Sequence, residues 1–133
     1  MSTAGNTFIL LALAALGGCS TGHPSAGSKS TQETVMVTYH IQTGKEAEFQ
    51  SLLACAWKTY RDDGMVFATP HIVVQSDEDG GKNRFIEIFT WKKSPDHAPD
   101  NVKAIWKDEQ SLCEARNGHS GIDGGEVQLV TAR

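Results

Sequence analysis

Between residues 35 and 130 the apolar positions change period repeatedly, and each change marks an element. Val35, Val37, Tyr39 and Ile41 recur at every second position, the spacing of a strand with one buried face. From Lys45 to Asp63 the residues Phe49, Leu52, Leu53, Ala56, Trp57 and Tyr60 recur every three or four positions, and Gly64 stops the run. That spacing predicts an amphipathic helix. Pro70 to Val74 reads as a second strand, Asp77 to Asn83 as an acidic hairpin loop, and Arg84 to Trp91 as a third strand. After Ser94-Pro95, a second helix carries Val102, Ile105, Trp106, Leu112 and Cys113 on one stripe and stops at Asn117-Gly118. A last strand is predicted over Gly124 to Thr131, with Val127 and Leu129 on one face.

The order is β-α-β-β-α-β. Two right-handed crossovers place both helices on one face of a four-stranded antiparallel sheet, an α+β, ferredoxin-like βαββαβ domain. The third strand points Phe85, Glu87, Phe89 and Trp91 one way and Ile86 and Ile88 the other. Helices can cover only one of those faces. Leaving large apolar side chains in water costs about 1.5 to 3 kcal/mol each, so a homodimer that buries the second face is expected.

The segment before the domain has a different pattern. Phe8 to Leu16 is apolar but far shorter than the roughly 20 residues of a spanning helix, which marks the h-region of a signal peptide. Leu16-Gly17-Gly18-Cys19 follows, and it resembles the lipobox of bacterial lipoproteins. The resemblance implies cleavage before Cys19 and acylation of its thiol. The protein is then exported and anchored in the lipid membrane of the cell envelope. Ser20, rather than Asp, after the cysteine favours the periplasmic face of the outer membrane. The expected organisation is a signal peptide over residues 1–18, the acylated Cys19 with a flexible linker over 19–33, and one domain over 34–133.

Charge and composition narrow the partners. The net charge is −4, from 12 basic and 16 acidic residues, and without a basic surface no nucleic acid is expected as a partner. Nine of the ten aromatic residues lie at or after Tyr39, which concentrates core material in the predicted domain.

Glu87 stands out chemically, because it alternates with Phe85, Phe89 and Trp91. A carboxylate on an aromatic face is desolvated and suited to proton transfer; the alternative is an ion pair with Arg84, Arg61 or a partner-chain cation. His97 sits in the loop entering the second helix, where ligand contacts concentrate. His40 and His71 lie in strands, and His23 and His119 are assigned no role. No pair of histidines has a ligand spacing, and the 77–83 loop lacks the regular oxygen ligands of a calcium loop, so no metal is expected. Cys55 and Cys113, at offset positions on the two helices, are expected to remain buried free thiols.

Three stretches carry a family resemblance: Gly44-Lys45-Glu46-Ala47-Glu48-Phe49, the third strand from Phe85 through Ser94, and Val102-Lys103-Ala104-Ile105-Trp106. Over about Val35 to Val130 they resemble the dimeric α+β barrel superfamily, and within it the antibiotic-biosynthesis-monooxygenase-like domains. The resemblance implies a dimer holding a small apolar or aromatic ligand between sheet and helices, with Phe85, Phe89 and Trp91 as ligand-binding walls. As an enzyme, it would oxidise a hydroxylated aromatic without a cofactor, with Glu87 or His97 as the catalytic base. The competing expectation is a non-catalytic envelope dimer whose sheet face serves association alone.

Overall fold

The computed structural model describes residues 32–132. The segments expected as signal peptide, lipobox with Cys19 and nearly all of the linker lie outside the described residues. β1 (Glu33–Ile41) leads into α1 (Glu46–Asp62), then the hairpin of β2 (Val66–Glu78) and β3 (Lys82–Trp91), then α2 (Asp100–Ser111) and β4 (Ile122–Glu126). The strands form one antiparallel sheet in the order β2-β3-β1-β4, the ferredoxin-like arrangement expected for βαββαβ.

Cross-strand register sorts the side chains. Val35, Val37 and Tyr39 stand opposite Phe89, Glu87 and Phe85. With Ile41 and Trp91 they are buried under Phe49, Leu53, Ala56 and Tyr60 of α1 and Val102 and Trp106 of α2. The other face carries Met36 beside Ile88 and Ile72, and Thr38 beside Ile86 and Val74. Among the described residues no helix covers it, and Met36, Ile72 and Val74 are exposed.

Several boundaries differ from the periodic reading. β1 starts at Glu33, inside the expected linker. β2 spans Val66–Glu78, because Gln75 to Glu78 pair with Phe85 to Lys82 although their side chains are polar. An edge strand can keep such side chains in water while its backbone bonds to a neighbour. The turn shrinks accordingly to residues 79–81, with Gly80 and Gly81 at φ 78° and 73°. The ladder is irregular between Val66 and His71, around Pro70, which has no N–H to donate.

α2 is shorter than expected. A 3₁₀ turn, Pro95–His97, precedes it, and the helix ends at Ser111, leaving Leu112 as its C-cap. Cys113 lies beyond the helix and bridges to Ile41. Asn117 and Gly118, at φ 53° and 77°, instead form the turn between Arg116 and His119. β4 begins at Ile122, not Gly124, and ends at Glu126, opposite Val35 of β1. Leu129 and Val130 are exposed beyond it.

Candidate functional site

Glu87 lies mid-β3 between Val37 of β1 and Val73 of β2, and the helices above leave it 1% exposed. Its two carboxylate oxygens have separate partners. The Tyr39 hydroxyl donates to Oε2 at 3.0 Å, and His71 Nε2 lies 2.8 Å from Oε1. His71 stacks flat on the Trp57 indole, with ring centroids 3.6 Å apart and planes 9° from parallel. The imidazole is 23% exposed. A continuous line therefore runs from the buried carboxylate to the surface. There Trp57 lines a shallow cavity of about 330 Å³ with Ala54, Lys58, Arg61 and Asp62.

Neither arginine named for an ion pair reaches Glu87, and His71 takes that place. Arg84 donates to Ser76 Oγ at 2.7 Å, and Arg61 is exposed on α1. Register is the reason: Arg84 stands at an odd offset from Glu87, so its side chain leaves by the opposite sheet face.

A second carboxyl shares the layer between sheet and helices. Glu109 of α2 is 2% exposed, and its Oε1 is the buried side-chain oxygen without a hydrogen-bond partner among the described residues. Burial first, and the field of Glu87 second, push its pKa from 4.5 up to about 8. The phenols of Tyr39 and Tyr60 are likewise raised well above their ordinary value, chiefly by burial and then by Glu109 and Glu87. Trp106 Nε1 donates to the Tyr60 hydroxyl at 2.7 Å. At neutral pH Glu109 thus holds its proton in the folded protein. Apolar periodicity alone passes over Glu109, although its sequence signal is legible: it continues the Val102, Trp106 stripe at helical spacing, a polar residue in a core position.

The other expected site residues are dispersed. Phe85, Phe89 and Trp91 are 4%, 2% and 5% exposed. They pack ring against ring, Phe89 on Trp91 at 4.8 Å and Phe85 on Phe49 at 5.6 Å. They are core, and the aromatic beside the Glu87–His71 pair is the half-buried Trp57. His97 is exposed in the 3₁₀ turn and lines a separate cavity of about 440 Å³ with Asp63, Met65, Lys93, Ser94 and Pro99. The fold does not bring it to Glu87. Both remaining cysteines are free, but Cys55 is exposed because it falls off the buried α1 stripe. Cys113 is buried, and burial pushes its thiol up to about 12, so it is no nucleophile at neutral pH.

The expectation of no metal rested on spacing along the chain. Three-dimensional proximity corrects its premise: His40, His119 and Asp123 come together with ligand atoms within 4.8 Å of one another.

No protein-family model matches the chain, and no curated protein matches it. Solved structures with a similar fold do exist. One is a Bordetella bronchiseptica protein provisionally described as an antibiotic biosynthesis monooxygenase, with 17% identity and a TM-score of 0.47. The match covers 75% of this chain and 98% of that one. A Deinococcus radiodurans protein with the same provisional description shows 12% identity and a TM-score of 0.49, over 75% and 94% of the two chains.

Proposed function

We propose that this chain is a lipid-anchored, homodimeric envelope domain that binds a small aromatic molecule carrying an ionisable hydroxyl. The observation that carries this reading is the stacking of Trp57 on His71 above the buried Glu87. An aromatic ligand in the adjoining cavity extends that stack. His71 lies on the far side of Trp57 from that cavity, so the hydroxyl must reach past the indole edge to an imidazole that is oriented from behind by a carboxylate, the arrangement that lets histidine accept a proton. Arg61 in the cavity wall complements the resulting oxyanion. The chemistry supplied is deprotonation of a phenol, the first requirement of cofactor-free oxidation. Tight ring-on-ring packing of Phe85, Phe89 and Trp91 favours the second reading, a purely structural domain.

Binding of 1-naphthol to the full chain, followed by quenching of tryptophan fluorescence, separates the two. His71→Ala is expected to weaken binding at least about 10-fold, or about 1.4 kcal/mol. Glu87→Gln is expected to do the same while costing only about 1 to 2 kcal/mol of stability, since Gln still accepts from Tyr39. Equal binding by wild type and both variants, or none by wild type, leaves the structural reading.

Anchoring rests on the Leu16-Gly17-Gly18-Cys19 motif. Cys19→Ser is expected to abolish lipid labelling and to shift the protein from membrane to soluble fractions. An unlabelled wild type would refute the anchor.

A further inference from the structure

We propose that His40, His119 and Asp123 form a binding site for a divalent first-row transition ion, at the polar end of the open sheet face. The three ligands come from separate segments. His40 lies on β1, and Asp123 of β4 stands opposite Thr38, two residues away on the same face. The turn at Asn117 and Gly118 folds His119 back, so that its ring stacks on His40 at 5.4 Å and 21°.

The distances approach those of a coordination shell. His40 Nε2 is 3.1 Å and His119 Nδ1 3.4 Å from the same oxygen, Asp123 Oδ2. A tetrahedral zinc ion about 2.0 to 2.1 Å from each ligand sets ligand-to-ligand edges near about 3.3 Å. Two of the three edges already have that length, and the third is no more than 4.8 Å. His119 is 60% exposed and can turn to close it.

The residues behind the ligands are arranged to orient them. Glu78 Oε1 lies 2.9 Å from His40 Nδ1, and Glu78 is itself held by Arg116, whose Nε donates at 2.7 Å. Ser120 Oγ donates to Asp123 Oδ1 at 2.7 Å. A carboxylate at Nδ1 turns the Nε2 lone pair outward, the usual backing of a metal-bound histidine. A neutral imidazole has one N–H, yet His40 has a carboxylate oxygen at each nitrogen, which calls for a second proton or a cation at Nε2. Among the described residues no Lys or Arg pairs with Asp123; its partners are His40, His119 and Ser120. Imidazole and carboxylate donors together suit zinc, copper, nickel or iron better than magnesium or calcium. With Asp123 40% exposed, the site keeps a coordination position open to solvent.

The test uses the untagged full chain, stripped with chelator and titrated calorimetrically with zinc chloride. One equivalent should bind with a dissociation constant in the micromolar range or tighter, and cobalt(II) in its place should give visible d–d absorption. His119→Ala and Asp123→Asn should each weaken zinc binding at least about 10-fold and remove the cobalt bands. His119 is exposed and Asp123 half-buried at the sheet edge, and Asn keeps the shape of Asp, so circular dichroism should show an unchanged fold. A wild type that binds no zinc below about 100 μM overturns the proposal and leaves the cluster as ion pairs. So does binding unchanged in both variants, which would point to other donors such as His23.

Discussion

Glu109→Gln is expected to raise the unfolding free energy at pH 7 by about 3 kcal/mol. The Glu109 carboxyl has its folded-state pKa raised from 4.5 to about 8, by burial and by Glu87. Between those values the native state keeps a proton that the unfolded chain has released. The stability linked to this group is therefore full below pH 4.5 and falls as pH rises, by about 1.4 kcal/mol per unit, levelling off above about pH 8. Gln copies the protonated form and has no such slope. Urea unfolding of both proteins from pH 5 to 8.5 measures the difference, which should widen toward alkaline pH. Parallel stability curves would show that Glu109 ionises freely in the folded protein. A carboxyl that costs stability at neutral pH, with one oxygen unpartnered, belongs with function more readily than with packing.

The second large effect concerns the open sheet face. Ile72 and Ile88 are cross-strand partners there, Ile72 being 44% exposed. If the proposed homodimer buries this face, the double variant Ile72→Lys, Ile88→Lys is expected to raise its dissociation constant at least about 100-fold, or about 2.7 kcal/mol, because it would set two ammonium groups of each protomer in an apolar interface. The isolated fold should survive, since both side chains lie outside the helix-covered core. Light scattering at micromolar concentration reads the result: dimer for the wild type, monomer for the variant. A monomeric wild type would remove the homodimer from the proposed function.

The Glu87 line illustrates how far local pattern reaches. Alternation with Phe85, Phe89 and Trp91 was enough to mark Glu87 as a carboxylate turned toward the core. Its partner His71 became identifiable only with the β2–β3 register, which places His71 opposite Phe89. The hairpin turn determines that register, and the turn was obscured because Gln75 to Glu78 look like loop residues. His97 had the opposite fate. Its place at an element boundary made it a candidate, but the 3₁₀ turn presents it to solvent.

What the sequence determined by itself was the order of elements, the two crossovers, and which face of β1, α1 and β3 is buried. Hydrophobic period is a local property, so a strand or helix displays it before any partner is known. The tertiary structure decided which polar groups meet. Glu109 joins Glu87 because α2 packs over the sheet, His71 meets Glu87 through hairpin register, and His40, His119 and Asp123 converge because a turn and β4 return to β1. The contact of His71 with Glu87 joins residues 16 positions apart, and that of His40 with Asp123 residues 83 apart. Periodicity has no information at such separations, because chain pairing alone brings those segments into reach.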